Sequence, residues 1–591
     1  MRERLTRQLW LAAVIVAFCV PLFVGLGRTD MENDEAIYSY AVDGILARGD
    51  WLNPPLSPDQ GWTFLEKPPL KFWIVAAPIR LGLLPHDERG MRVWDALFAA
   101  VSFLYVFAIG RRLRGPLCGF FAVLVLITYE PLLFVHGLRN NNMEAPLFLC
   151  YCGGIYHYLA WASAGGQRAG RRHIWAVLGY FFLGFMTKFV AAFFLPVVIA
   201  IALVLDRETR TALRHDFGIW VAAAAAMLVV AAPWFVYETM REGRGFWRVL
   251  VGEHVYQRFT TSLDLSHVQP WYYYFWSVFH TLDRAGTVWT VIAGFALLIV
   301  HTIRERRREA IVVVTWFVAP IVLISFGTSK IHHYVYPFLP PLALAAGYGV
   351  DWLLQVGRGY VVGAMAAIQQ RAGGMVPGHS GLRYGLMTVA AFAAVLAVAT
   401  FVMGTVEWKV GEVRLFRNSH VSRPLAAAMV LAVIAGRGPL AARALWPAIL
   451  LVAVVPVNHY ENMWKRTLVK DYRLRNAREC LTRVQQAERA AGRPGRGVYS
   501  IGEHRWFVHS YYYYLRDLGW EAVSEVDVGA VDAAITAPGQ QRPVLTDDQV
   551  FHAIRSRYTD VAVPRLPLQT ALLLMPGPYG ECDPSARADT R

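Results

Sequence analysis

Residues 174–205 read IWAVLGYFFLGFMTKFVAAFFLPVVIAIALVL, an apolar run with one charge, Lys188, in its middle. Arg168, Arg171 and Arg172 precede it, and Arg207, Arg210 and Arg214 follow it. A hydrocarbon core about 30 Å thick takes about twenty helical residues. The run is therefore too long for one upright crossing and short for two. Cytoplasmic loops collect Lys and Arg, so arginines at both ends put both ends on one side, with the chain turning near Lys188. Each arm is then short, which local thinning of the bilayer or shielding by protein accommodates. A single tilted span is the rival reading, and it inverts everything downstream.

The alternation of apolar runs and arginine clusters continues outward in both directions. Hydrophobic residues make up 55% of the 591 and charged residues 17%, with a mean hydropathy of +0.34. A soluble chain carries about 25% charged residues. Further clusters lie at Arg111, Arg112 and Arg114, at Arg304 and Arg306 to Arg308, at Arg358, Arg371 and Arg383, and at Arg437 and Arg443. With all of them cytoplasmic, the chain is a polytopic α-helical membrane protein of about thirteen spans. These lie near 9–27, 93–110, 115–134, 144–164, 174–187, 189–205, 217–237, 287–303, 311–327, 337–355, 384–405, 423–436 and 444–458. The first follows Arg2, Arg4 and Arg7 and is long for the apolar region of a signal peptide, so it reads as a retained signal-anchor. The net charge of +15 sits in the short clusters. No basic, aromatic-interleaved groove region stands apart from the spans, so nucleic acid is excluded as a partner.

This topology makes 1–459 a membrane domain with outer loops 28–92, 135–143, 238–286 and 328–336. Within the first loop, the apolar but Pro-interrupted 68–84 reads as an interfacial helix. The tail, 460–591, reads as an extracytoplasmic soluble α/β domain, with strand-like runs at Gly497, Val561 and Ala571 around a Tyr-rich helix. Cys480 and Cys582 fall in this polar part and can pair if they meet; Cys19, Cys118, Cys150 and Cys152 lie in apolar runs.

Charged residues at the outer ends of spans are the candidates for chemistry. Asp34-Glu35 follows the first span by a few residues, and the same loop continues to Glu66-Lys67-Pro68-Pro69-Leu70, where paired prolines fix the backbone. Read alone, Lys-Pro-Pro is a rigid corner. Together with Tyr38, Gly49-Asp50-Trp51, Trp73 and Arg92, these segments resemble the superfamily of protein O-mannosyltransferases and aminoarabinose transferases. That superfamily consists of GT-C class glycosyltransferases using polyprenyl-phosphate sugars. The resemblance continues through Arg139 to Glu144, Thr187-Lys188, Pro233-Trp234, Glu253-His254, Arg258-Phe259, His267, Pro270 to Tyr273, and Ser329-Lys330 with Tyr334, Pro337 and Pro340. It covers about residues 8–355 and is specific in combination. One departure is that the second loop reads Asn140-Asn141-Asn142-Met143-Glu144 where the family usually presents Asp.

The resemblance implies a GT-C bundle with outer-face interfacial helices, at the inner membrane of a bacterium. It implies inverting transfer of a sugar from undecaprenyl phosphate or a related carrier to a lipid, glycan or protein acceptor. Direct displacement needs a carboxylate at the attacking hydroxyl and cations where the departing phosphate gains charge. Asp34 is implied as the base, with Glu35 and Glu144 as further catalytic carboxylates. Lys67, Arg258 and Lys330 are implied at the phosphate, with Arg92, Arg139, Lys188 and Tyr334 as further substrate-binding residues. Glu66 and His267 form a possible divalent-metal pair, although the basic residues can suffice. No P-loop, CxxC pair or nucleophilic Ser or Cys motif is present. A secondary transporter or lipid-sugar flippase also explains many spans and intramembrane lysines, but such proteins often show internal repeats, and none is visible. A pseudoenzyme binding prenyl-phosphate sugars is the other alternative. In cells, a reporter fused after Glu461 is expected to behave as extracytoplasmic and one near Arg307 as cytoplasmic; a cytoplasmic C-terminal reporter would overturn the two-arm reading.

Overall fold

The computed structural model describes residues 15–16, 19–55, 63–262, 265–355 and 380–403, most of 405–431, and 457–492. In the tail it also describes 497–500, 508–522, 543–547, 565–566 and 570–573. The spans expected near 423–436 and 444–458, the strand near Val561 and Cys582 lie wholly or largely outside the described residues. Two compact units emerge. The first comprises Met1–Val24, Asp95–Arg139 and Met143–Leu468; the second comprises Gly25–Trp94, Asn140–Asn142 and Val469–Arg591.

Among the described residues, six helical stretches are long and apolar enough to cross a membrane: Glu88–Leu113, Arg168–Leu205, Arg207–Glu242, Val288–Glu305, Arg308–Phe326 and Tyr384–Met403. Pro116–Thr128 is a shorter apolar helix, opened by proline at the first turn, where its missing N–H costs nothing. Helix Glu144–Ser163 is buried along nearly its whole length, the mark of a central element.

Arg168–Leu205 spans 38 residues, about 57 Å if straight, and it is not straight. Helix Arg171–Lys188 ends where Phe189 takes φ 41°, and a 3-10 turn, Phe189–Phe193, leads into helix Phe194–Leu205. Along the central helix, Cys150 packs against Gly184 and Gly153 against Tyr180, while His157 meets His173 at 2.8 Å between ring nitrogens. That arm runs antiparallel to the central helix. Tyr151 donates to the Ala191 carbonyl at 2.5 Å, and Gly154 packs on Leu195, so the second arm runs parallel to it. The chain therefore reverses at Lys188, and Phe193 folds back to within 5.6 Å, centroid to centroid, of both Phe181 and Phe185.

Close helix contacts use small residues, as is usual where lipid supplies no hydrophobic drive. A Cβ on Gly119 would lie 2.3 Å from the Phe107 carbonyl oxygen, and one on Gly294 2.2 Å from that of Ala345.

In the second unit, Val498–Ser500 pairs in parallel with both Glu521–Ala522 and Val544–Asp547. Thr570–Leu573 runs antiparallel to Val544–Asp547, and Arg565–Leu566 completes the edge. Helix Arg473–Ala490 buries Leu474, Ala477, Cys480, Leu481 and Val484, a 3.6-residue stripe, and Cys480 is disulfide-bonded. Its Tyr472 N-cap makes no side-chain cap bond. Asp30, from the opposite end of the sequence, accepts the Leu474 N–H at 2.6 Å and pairs with Arg475 at 2.6 Å. A carboxylate there satisfies an orphan donor and the positive end of the helix dipole. Asp471 exchanges backbone bonds with Arg28 and Asp30, and Arg516 pairs with Asp43 at 2.7 Å. The tail and the 25–94 loop thus form one unit.

Gly119→Ala is expected to force backbones apart and cost about 1–3 kcal/mol, read as a lower unfolding temperature in detergent. A Cβ at Gly218 meets nothing within 4 Å, so Gly218→Ala is the control that should leave it unchanged or raised.

Candidate active site

In the second unit, Asp34 is the first residue of helix Asp34–Arg48 and accepts a 3.4 Å bond from the Tyr38 hydroxyl. The preceding Asn33 sits at φ 54°, ψ −130°, a conformation that disfavours residues with a Cβ. Glu35 turns inward. Arg92 grips it through Nε at 2.5 Å and Nη2 at 2.7 Å, and spends its remaining donors on the carbonyls of Leu26, Thr29 and Asp30 and the Thr29 hydroxyl. Both side chains are buried. Glu35 also accepts the Asn141 N–H at 2.7 Å and the Asn140 amide at 3.3 Å. The Asn141 side chain donates to Ser39 at 3.0 Å and accepts from Lys71 at 3.1 Å. Glu35 and Arg92 are therefore engaged with the protein itself, and their evident work is to fix the start of the helix that carries Asp34.

Lys67 pairs with Glu66 at 3.5 Å, and its ammonium lies 5.0 Å from the Tyr38 ring centroid and 5.6 Å from that of Phe64. Phe64 and Phe72 pack edge to face at 5.1 Å, building an aromatic floor under the cation. Trp73 donates to the Trp51 carbonyl at 2.5 Å, so the two tryptophans of the sequence pattern tie one loop together. Pro69 precedes helix Leu70–Arg80 directly, within the stretch 68–84 where a helix was expected.

The first unit holds a separate constellation. Lys188, at the arm reversal, pairs with Glu144, the first residue of the central helix, and lies over the Tyr334 ring at 5.6 Å. Tyr334 accepts a 2.6 Å bond from Arg258. Residues separated by 190 positions in sequence are thus joined as Glu144, Lys188, Tyr334 and Arg258. Behind them, His333 stands 3.6 Å from Glu144 and stacks on His136 at 4.7 Å. Burial, with Lys188 and His136 close by, holds the His333 imidazole well below its usual range, hence neutral.

Lys330, expected at the phosphate, and Arg139, a further substrate-binding candidate, both bond to backbone carbonyls. Buried Lys330 donates to the carbonyls of Gln269 and Gly327, while its own N–H reaches the His267 carbonyl at 2.8 Å. Burial lowers its pKa. Arg139 donates to the carbonyls of Leu22 and Val24 and lies 4.9 Å from the Phe134 ring centroid. Each fastens a loop. Glu66 belongs to one unit and His267 to the other; among the described residues, no group of three or more His, Cys, Asp or Glu is placed to hold a metal ion.

Lys71, Asn141, His136 and His333 were not singled out from sequence. The His332-His333 pair two residues after Lys330 was the available signal. Lys71, one residue after Leu70, carries no sequence signal beyond its place in the apolar 68–84 stretch. Three of the four non-glycine residues with positive φ among the described residues are Asn33, His136 and Phe189. They flank Asp34, stack on His333 and follow Lys188, in keeping with strain concentrating at functional sites.

Fold comparison defines the class first: a GT-C membrane fold. The chain superposes on ArnT from Cupriavidus metallidurans bound to undecaprenyl phosphate with a TM-score of 0.59 at 18% identity, over 95% of this chain and 97% of that one. It also superposes on the oligosaccharyltransferase AglB from Archaeoglobus fulgidus, with a TM-score of 0.55 at 10% identity, over 96% of this chain and 74% of that one. Sequence comparison adds similarities to named transferases. Residues 66–237 match the family described as dolichyl-phosphate-mannose-protein mannosyltransferase. An undecaprenyl phosphate-alpha-4-amino-4-deoxy-L-arabinose arabinosyl transferase of Pseudomonas aeruginosa is 28% identical over 358 residues, 60% of this chain and 61% of that protein. A similarly named protein of Sodalis glossinidius is 27% identical over 348 residues, 58% of this chain and 59% of that protein. The chain spans about three fifths of the length of these curated relatives. Together the matches give the chain the GT-C membrane fold and a sequence similarity to aminoarabinose transferases and protein O-mannosyltransferases.

Glu35→Ala would strand the Arg92 guanidinium in a buried site, a loss of about 3–5 kcal/mol. The expected readout is a clearly lowered unfolding temperature in detergent, whereas a purely catalytic Glu35 would leave it at the parent value.

Proposed function

We propose that the chain is an inverting glycosyltransferase that moves a sugar from undecaprenyl phosphate, or a related polyprenyl phosphate, to an acceptor at the outer face of the bacterial inner membrane. The observation that carries the reading is the joining of Lys188, Tyr334 and Arg258, two cations around one phenol, in a chain similar to enzymes named for undecaprenyl-phosphate sugars. The acceptor class is a lipid A-like lipid, an envelope glycan or a protein.

In this reading Asp34 takes the proton of the acceptor hydroxyl as that oxygen attacks the anomeric carbon. The bond from that carbon to the phosphate oxygen breaks, and the electron pair leaves with the prenyl phosphate. Charge grows on the leaving phosphate, where Arg258, Lys188 and the Tyr334 hydroxyl stabilise it. Lys67, on its aromatic floor, adds a further cation. Attack from the face opposite the leaving group inverts the configuration. Glu144 neutralises and orients Lys188, while Glu35 and Arg92 hold the Asp34 helix. The reading assigns 1–459 to the membrane domain and 460–591 to an extracytoplasmic domain; the Cys480 disulfide suits an oxidising compartment.

Asp34→Asn keeps size and removes basicity. With undecaprenyl-phosphate aminoarabinose as donor and an envelope lipid extract as acceptor, its turnover in detergent is expected to fall by about 10²-fold or more, with donor binding retained. Near-parent turnover would remove Asp34 as the base. Absence of any glycosylated product from the parent, across a panel of prenyl-phosphate sugars, would favour a transporter, since detergent abolishes gradients but not chemistry.

A further inference from the structure

The start of helix Asp34–Arg48 is held from the tail as well as from Arg92. Ser510 and Tyr514 lie four residues apart on helix Val508–Leu515, which puts their side chains on one face. Met31 and Asn33 are two residues apart, so in an extended run their N–H groups point to the same edge. The two spacings meet. Met31 donates its N–H to the Tyr514 hydroxyl at 2.8 Å, and Asn33 donates its own to Ser510 Oγ at 2.9 Å. The Tyr514 hydroxyl donates onward to Glu88 at 3.1 Å and Asp30 at 3.4 Å. Ser510 is fully buried, so water cannot substitute for it.

The Asn33 contact matters because of where it falls. Asn33 is the N-cap of the helix whose first residue is Asp34, it makes no side-chain cap bond, and its φ is 54°. Its Oδ1 is buried without a hydrogen-bond partner. Nothing in its own side chain favours this conformation, and its N–H is fixed by Ser510. His509, the residue before Ser510, interacts electrostatically with both Asp34 and Glu66, so this helix end lies close to the carboxylates of the first loop.

We propose that Ser510 is a positioning residue for the transfer reaction: by fixing the Asn33 N–H, the tail helix sets the direction in which the Asp34 carboxylate leaves the backbone. The inference rests on Asp34 as the base. It makes the C-terminal domain a structural part of the catalytic machinery rather than an appended module.

The test is Ser510→Ala in the full chain in detergent, assayed with undecaprenyl-phosphate aminoarabinose and an envelope lipid extract, beside Asp34→Asn. Alanine is the better helix former, so helix Val508–Leu515 is retained. Expected are a kcat lowered about tenfold, the scale of a small misplacement of a reacting group, and a donor KM within about twofold of the parent. Hydrogen exchange should quicken in the peptide covering residues 30–38 and stay unchanged in the Arg473–Ala490 helix. A parent-like kcat, with Asp34→Asn inactive, overturns the positioning role alone. A lowered kcat accompanied by faster exchange throughout the tail overturns it too, because the loss is then one of folding. If Asp34→Asn retains near-parent turnover, the underlying assignment of the base fails instead.

Discussion

A guanidinium buried among backbone carbonyls requires a carboxylate, and the contact between Arg92 and Glu35 is the constraint on which the second unit is organised. Removing two charges from water costs several kcal/mol per ion, and the pair is tolerable only when every donor and lone pair is used. Here they are: two bonds to Glu35, the rest to Leu26, Thr29 and Asp30, with Asn140 and Asn141 completing the carboxylate. Because those acceptors are backbone atoms of the segment leading to Asp34, satisfying Arg92 also fixes the path of that segment. Asp30 is then committed on its other side, its carboxylate capping Arg473–Ala490 through Leu474 and pairing with Arg475. One buried cation thereby couples the loop to the tail.

The first unit has its own organising device, the reversal at Lys188. A lysine inside an apolar run is expensive, and ending a helix there places it where a partner can reach. The central helix begins at that partner, Glu144. Phe189 at φ 41° is the conformational strain that accompanies the turn, offset by the aromatic packing of Phe181, Phe185 and Phe193 around it.

The membrane class, the turn near Lys188 and the helix after Pro69 were legible from sequence, because each depends on local pattern: hydropathy, charge clusters and proline. The partition into units was not. Segments 25–94 and 469–591 are joined by ion pairs and backbone bonds between residues more than 400 positions apart, and no local period announces them. Candidate site residues were recognisable as a set, but not their division of labour. Glu35, Arg92, Arg139 and Lys330 have the residue types of a phosphate or acid–base site, yet they bond mainly to backbone groups, to Asn140 and to one another. Among the described residues, Lys188 and Arg258 both meet Tyr334, with Glu144 paired to Lys188.

That convergence also bears on the departure from Asp in the second loop. An aspartate at position 144 would stop one methylene short of where the glutamate now pairs with Lys188. The longer side chain spends its charge on that ammonium, with neutral His333 behind it. It is well suited to holding Lys188 over Tyr334, whose hydroxyl already accepts from Arg258. An anion arriving there would add a second negative charge to two cations that have one between them. Glu144 thus sets the charge of the cluster that joins Lys188, Tyr334 and Arg258.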